Sequence, residues 1–352
     1  PLFYREYEGN RHDSKEFKKI LGEVTAAMRQ AAPGDREITI IFDKGMNSED
    51  NLAAIDLTPG VHFITTYSPS YAEELIRVKT SRFTPVDTAK NRELDKLGRP
   101  EDRLVAYRTT GEFWGQARTV IVTYNPRTAT KQRLAFEKKL LALQETLFDL
   151  RAKVRTQKAH WTEAHRIEQH YAEACEKLHL PKNLYDVSLE EQQGKKQLLF
   201  RKNYYRIGLY REKFGKNILV TDLDDWPTDE IVQASLDRYM VEKAFRQSKD
   251  PDLVSLYPFR HWTDSKIRCH IFTCVVALTY LRLIEIRLRQ AGLAISAATA
   301  MEHMRRLHSC LCWTASKKSP ERIIEDPTPI QAAILAAFGY QAAGGVLQKL
   351  NV

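Results

Sequence analysis

The sequence predicts an α/β fold, and three of its features lead to that prediction. Hydrophobic residues make up 43% of the 352 residues and charged residues 28%, which is typical of a globular protein with a sizeable core. Short β-rich runs alternate with helical patterns over residues 1–66, as in sheets with crossover connections. Helical patterns then dominate the last third of the chain.

Residues 1–66 contain three predicted strands and two predicted helices. The strands cover 2–7, 37–42 and 61–66, and a short helix covers 48–55. The longer helix, after residue 13, has an apolar face with members spaced by threes and fours: Phe17, Ile20, Leu21, Val24 and Met28. This order favours one sheet with helices between its strands.

Residues 67–225 change in character. Strands are predicted at 104–107 and 119–124, and later at 197–202, 204–210 and 217–221. Between them lie two helical stretches, the first with a heptad seam from Phe136 to Val154 and the second at about 161–178. The mixture predicts an insertion domain rather than a continuation of the first sheet.

Residues 226–352 are predicted to be mainly helical. The helices cover about 229–248, 265–291, 298–311 and 328–338. The apolar run 271–283 is too short to span a bilayer and fits a buried helix better. The five cysteines are odd in number and mostly lie in apolar helical contexts, which indicates reduced thiols in a cytoplasmic protein. The net charge of +9 favours a polyanionic partner.

Asp43 is the first candidate site residue. It stands where a strongly hydrophobic strand ends, and Lys44 and Gly45 follow it. The carboxyl ends of strands in α/β sheets are where ligands and metals are usually held. The alternative interpretation is an ordinary cap of a turn or helix.

Arg238, Glu242 and Lys249 form the second candidate. Their spacing of four and seven puts them within about 60° on one face of a helix, at roughly 100° per residue. Val232, Leu236, Tyr239 and Phe245 are predicted to form much of the opposite, buried side. The alternative is a solvated face with an Arg–Glu pair.

The spacing Arg-x3-Glu-x6-Lys resembles the signature of a superfamily of bacterial and archaeal insertion-sequence transposases, the DDE transposases. The full signature begins with a tyrosine three residues before the arginine, where this chain has Ser235. The family's sequence around this signature is also similar to this chain in four places: residues 218–221, 241–246 and 258–262, and the helix with residues 269–271. Residues 1–10 and 40–46 resemble the strands before and at the family's second acid.

The resemblance implies an RNase H-like core that is incomplete at its beginning. Residues 1–66 would form its N-terminal part, 67–225 an insertion with β-strands and a helical hairpin, 226–292 its C-terminal part and 293–352 a helical segment. Asp43 would be the second catalytic acid and Glu242 the third. The family's first acid would precede residue 1, so we expect the chain to be truncated and to have little activity alone.

The implied chemistry is DNA cleavage and strand transfer at the ends of an element. Two Mg²⁺ or Mn²⁺ ions would neutralise charge at the phosphodiester, held by Asp43 and Glu242. Arg238 and Lys249 would hold DNA phosphates. The expected partner is double-stranded DNA, as terminal inverted repeats and target, with a possible homodimer, no membrane, and a cytoplasmic, nucleoid-associated location. A DNA-binding remnant without catalysis and a helical structural protein are the alternatives.

Overall fold

The computed structural model describes residues 3–6, 13–32, 34, 36–313 and 319–350. Its helices are α1 (Asp13–Ala31), α2 (Glu49–Asp56), α3 (Glu73–Ile76), α4 (Ala89–Lys96), α5 (Pro126–Arg155), α6 (Ala164–Leu178), α7 (Tyr204–Glu212), α8 (Thr228–Asp237), α9 (Tyr239–Lys249), α10 (Asp264–Gln290), α11 (Ala297–Arg305) and α12 (Pro329–Ala337). Its strands are β1 (Ile38–Phe42), β2 (Val61–Tyr67), β3 (Thr84–Pro85), β4 (Val105–Phe113), β5 (Gln116–Tyr124), β6 (Tyr185–Gln192), β7 (Lys195–Lys202), β8 (Lys216–Thr221), β9 (Ser309–Cys312), β10 (Glu321–Ile324), β11 (Tyr340–Ala343) and β12 (Val346–Lys349). The expectation of a mixed α/β protein is confirmed.

The chain divides into two compact units. The first, here called the sheet unit, comprises Asn10–Arg238. The second, here called the helical unit, comprises Pro1–Gly9 and Tyr239–Val352. The boundary falls inside the segment that the sequence analysis treated as a single helix.

A six-stranded sheet forms the centre of the sheet unit, in the order β1-β2-β8-β5-β4-β3. β1 and β2 are parallel, whereas all other neighbours in this sheet are antiparallel. Phe63 and Val120 enter one apolar cluster, and the next residues, Ile64 and Ile121, enter another, as the alternation of a strand requires. Helices α1 and α2 contribute to the first cluster and α8 to the second, so the sheet is covered on both faces.

Helix α5 packs through the heptad seam that the sequence predicted. The buried residues of the seam are Phe136, Leu140, Leu143, Leu147, Leu150 and Val154. They share apolar clusters with residues of α6, α7 and the β6–β7 hairpin. The seam therefore stabilises an intramolecular packing, and it gives α5 a fixed position between β5 and the elements that lead to β8.

The helical unit is organised around α10, which contacts α9, α11 and α12. A buried carboxylate, Glu285 of α10, holds α9 in place: Lys243 Nζ lies 2.9 Å from Glu285 Oε1. Arg282 Nη1 lies 2.5 Å from Glu285 Oε2, and Arg282 Nη2 donates to Gln247 Oε1 at 2.7 Å. Two side chains of α9, one turn apart, are thus anchored on α10.

Helix α10 is more exposed than the sequence analysis expected. Only 17% of its most apolar 18-residue window is buried, and by length and composition alone this helix could cross a membrane. Phe272, Tyr280 and Leu283 are among its exposed side chains. The expectation of a buried helix at 271–283 was therefore wrong.

Several predicted elements of the sheet unit need correction. Residues 204–210 form α7 rather than a strand, because the Asn203 side chain accepts a hydrogen bond from the Arg206 N–H at 3.1 Å and so caps a helix. Strands β3, β4, β5 and β8 fall in the segment predicted as an insertion, yet they lie in the same sheet as β1 and β2. The boundary at residue 66 therefore does not separate two sheets.

Corrections also apply outside the central sheet. Of the predicted strand 2–7, residues 3–6 are described and form no strand, while residues 2 and 7 lie outside the described residues. The helix predicted at 298–311 ends at Arg305, and the segment 293–352 contains two short antiparallel hairpins besides its helices. The predicted helix 229–248 is interrupted at Arg238, and Leu236, Tyr239 and Phe245 are exposed rather than buried.

Candidate functional site

Asp43 directly follows β1, at the carboxyl end of the parallel pair β1–β2. Phe42, the last residue of β1, is buried and lies opposite Thr65 in the register. Asp43 has an extended backbone and caps a short 3-10 helix, with its Oδ1 accepting from the Lys44 N–H at 2.9 Å. Its side chain is 63% exposed. A rigid strand therefore carries a carboxylate that solvent and ligands can reach.

Polar residues at the end of β2 hold this carboxylate in place. Thr66 Oγ1 donates to Asp43 Oδ1 at 3.0 Å. The Asn47 Nδ2 donates to the Thr66 carbonyl at 2.9 Å, and Thr65 Oγ1 donates to Asn47 Oδ1 at 2.7 Å. Because each partner is itself hydrogen-bonded, the network fixes the Asp43 rotamer as a supported ligand requires.

Arg238, the last residue of the sheet unit, contacts Asp43. Its Nη1 lies 3.3 Å from Asp43 Oδ1, although the two residues are 195 positions apart. Partial burial raises the pKa of Asp43, but the hydrogen bonds from Lys44 and Thr66 and the charges of Arg238 and Lys44 lower it by more. The net pKa lies below the usual 3.8, so the carboxylate is ionised at neutral pH.

Glu242 and Lys249 belong to the helical unit, on α9. Seven residues separate them, so they lie within about 20° of each other around the helix, and both are exposed. Lys243 and Gln247, which contact α10, define the anchored face of α9. Glu242 and Lys249 lie roughly 130° away from that face on the helical wheel and so point away from α10.

The structure brings together two of the four predicted site residues, Asp43 and Arg238. The three hydrogen bonds to Asp43 all use Oδ1, and within the described residues no polar contact of Oδ2 accompanies them. One carboxylate oxygen is therefore available for a divalent cation, whose preferred ligands are such oxygens. Among the residues that the structure describes, no group of three or more histidine, cysteine, aspartate or glutamate side chains is arranged to hold a metal ion.

No known protein family, no curated protein and no solved structure matches this chain.

The sequence analysis did not find the supporting residues Thr66 and Asn47. Consecutive threonines at the end of β2 were visible, but their role depends on the parallel pairing of β1 with β2, which no local pattern shows. A second acidic residue, Asp222, follows β8 and accepts from the Phe63 N–H at 2.9 Å. Since β8 runs antiparallel to β2, Asp222 lies at the opposite end of β2 from Asp43 and does not add to its site.

Proposed function

We propose that this chain is a DDE transposase of an insertion sequence, acting in metal-dependent DNA cleavage and strand transfer. The observation that carries the proposal is the contact between Asp43 and Arg238. The two residues belong to different sequence motifs, each of which resembles the family independently. Their contact supports the proposal, because the resemblance implies that both residues belong to one active site.

The fold is compatible with the RNase H-like core that we propose. Asp43 stands at the carboxyl end of β1, which is an edge strand of the described sheet and runs parallel to β2. In this account β1 is the strand of the second acid. None of residues 1–352 is assigned to the family's first acid. Because cleavage would need that acid as well, metal binding by Asp43 and Glu242 is the more direct test of this chain.

Each site residue has a distinct proposed role. Asp43 and Glu242 bind Mg²⁺ or Mn²⁺, and a pair of such ions neutralises the charge that develops on the phosphodiester. Arg238 pairs with Asp43 and, with its second nitrogen, can hold a phosphate oxygen. Lys249 supplies a point charge to the DNA backbone. Ser235 provides a hydroxyl where the family has a ring that can stack on a base.

The proposed partner is double-stranded DNA, both the terminal inverted repeats and the target, with a homodimer as the assembled form and a nucleoid-associated, cytoplasmic location. A second candidate function is DNA binding without catalysis. It is supported by the net charge of +9, which favours a polyanionic partner without requiring catalysis. The helical structural protein is the weakest alternative, because it gives no role to the contact of Asp43 with Arg238.

Manganese binding by the wild type and two variants tests the proposal. In titrations followed by electron paramagnetic resonance, Asp43→Asn and Glu242→Gln are each expected to raise the Kd for Mn²⁺ about tenfold or more, because each removes a ligand. Asparagine at position 43 can still cap the 3-10 helix, so the fold is retained.

The matched control is Asp50→Asn, which removes another exposed acid of the sheet unit, with a side chain that is 87% exposed against 63% for Asp43. It is expected to leave the Kd unchanged. If neither Asp43→Asn nor Glu242→Gln changes Mn²⁺ binding while salt-sensitive DNA binding persists, the proposed transposase is rejected in favour of the DNA-binding remnant.

A further inference from the structure

We propose that a basic cavity of the sheet unit is a docking site for the phosphate backbone of duplex DNA. The cavity has a volume of about 600 Å³ and is bounded by the segment 77–81, by α5 and by the turn that leads into β8. The identification of the polyanion as DNA rests on the proposed function. The positive charge of the cavity does not depend on the proposed function, because it follows from the residues that line the cavity.

Cationic side chains dominate the lining of the cavity. They are Arg77, Lys79, Arg133, Arg211 and Lys216, of which Arg77 pairs with Glu73, Arg211 with Glu137 and Lys216 with Glu212. Such a concentration of one sign in a concave surface focuses the electrostatic potential and attracts a polyanion.

Two of these cations, Lys216 and Arg211, hold the walls of the cavity in place. Lys216 is buried and donates to the carbonyl oxygens of Ile76 and Val78, which fixes the segment at one wall. Arg211 Nη2 lies 2.6 Å from Glu137 Oε1 of α5, which fixes the opposite wall. Their charges are partly compensated, so they are supports rather than primary ligands.

Lys79 and Arg133 differ from these supports. Both are exposed, and in the part of the chain that the structure describes neither has an acidic partner. Both line the cavity, Lys79 from the 77–81 segment and Arg133 from α5. Two uncompensated cations in one cavity are suited to bind backbone phosphates, which is why we assign them as the direct contacts.

Arg77 extends the basic surface to the rim. Its Nη2 donates to the Tyr205 hydroxyl at 2.7 Å, and its guanidinium lies 5.9 Å from the centre of that ring. Tyr205 is exposed at the start of α7. The hydroxyl of Tyr205 and the carboxylate of Glu73 thus orient this guanidinium, whose charge is partly compensated.

The cavity lies at the same end of the sheet as Asp43. β2 ends at Tyr67, which is opposite Ile218 in β8, and β8 begins two residues earlier at Lys216 in the cavity. Tyr124, the last residue of β5, is opposite Lys216 and also lines the cavity. From β1 to β5 there are three strand spacings of about 4.8 Å, so one DNA backbone can pass both places.

Salt-dependent DNA binding tests the inference. The double variant Lys79→Ala/Arg133→Ala is compared with the wild type on a 30-base-pair duplex of arbitrary sequence, by fluorescence anisotropy without divalent metal. Because two phosphate contacts are removed, the slope of log K against log salt is expected to become shallower by about two.

The matched control is Lys96→Ala/Lys177→Ala, which removes two exposed cations of the same unit outside the cavity. It is expected to leave the slope within about half a unit of the wild type, since only the net charge changes. Equal effects of the two double variants, or no effect of either, would overturn the inference.

Manganese binding by Lys79→Ala/Arg133→Ala separates this inference from the proposed function. The double variant keeps Asp43 and Glu242, so its Kd for Mn²⁺ is expected to stay as in the wild type. A cavity effect on DNA binding, with no effect of Asp43→Asn or Glu242→Gln on Mn²⁺ binding, would support the docking site and reject the transposase. A loss of Mn²⁺ binding in those two variants without a cavity effect on DNA binding would reject the docking site and support the transposase.

Discussion

Replacing Glu285 by glutamine is expected to destabilise the helical unit by about 3 kcal/mol. Glu285 is 4% exposed and accepts from both Lys243 and Arg282. Glutamine keeps the size of the side chain but leaves two cations facing a neutral group in a partly dry environment. The loss of free energy of unfolding can be measured by urea denaturation at pH 7.

The pH dependence of this effect has a definite sign. Burial raises the pKa of Glu285, but the hydrogen bond from Lys243 and the charges of Arg282 and Lys243 lower it more, and the net pKa lies below 4.5. The stabilisation is therefore fully present above the unfolded-state pKa and is lost as the pH falls through the folded-state pKa. The difference between wild type and Glu285→Gln should be constant well above the unfolded-state pKa and should shrink as the pH falls below it.

Glu302→Gln is the matched control for Glu285. Glu302 pairs with Arg306 in the same unit at 2.6 Å, but both side chains are more than 60% exposed. Solvent screens such pairs, so a change of no more than about 0.5 kcal/mol is expected. If the two variants were equally destabilised, the buried pair would not be what fixes α9 on α10.

Gly215→Ala is expected to destabilise the sheet unit by about 2–4 kcal/mol. Gly215 has φ +72°, and a Cβ there would lie 2.6 Å from the Asn125 carbonyl oxygen and 2.7 Å from the Ala129 Cβ. The Gly215 N–H also donates to Gln132 Oε1 at 2.7 Å. The turn into β8 therefore approaches the start of α5 more closely than any side chain permits.

Gly194→Ala separates the two costs of a side chain at position 215, which are the strain of the positive φ and the steric clash with α5. Gly194 has the same φ of +72°, but nothing lies within 4 Å of the position of its Cβ. Alanine there incurs only the backbone cost of about 1 kcal/mol. A thermal or urea denaturation that gave equal losses for both variants would show that the close approach at Gly215 is absent in solution.

The parts of the fold that the sequence predicted well are those with strong local signals. The heptad spacing from Phe136 to Val154 predicted the buried side of α5, and the β-rich run before Asp43 predicted β1. The strand predicted at 204–210 was wrong. Aromatic residues favour strands, but the Asn203 side chain caps a helix there. The membership of β4, β5 and β8 in the first sheet depends on long-range pairing, which local patterns do not encode.

Of the candidate site, the strand-end position of Asp43 followed from hydrophobicity. Its contact with Arg238 depends on the tertiary fold, and the shared site that the resemblance implies stays a prediction. The support by Thr66 and Asn47 arises only once β1 and β2 pair in parallel. The helical spacing of the sequence did not predict the break between α8 and α9 at Arg238. The backbone at Arg238 itself stays in the helical range, so the break is small.

Iron-dependent cleavage of the protein backbone tests most directly whether Asp43 and Glu242 bind the same metal ions. With Fe²⁺ in place of Mg²⁺, and with ascorbate and hydrogen peroxide, hydroxyl radicals cut a polypeptide close to the bound ion, and the fragments can be mapped by mass spectrometry. We expect cuts near residue 43 and near residue 242, both suppressed by excess Mg²⁺. Cuts near only one of these residues, or near neither, would contradict the proposed transposase site.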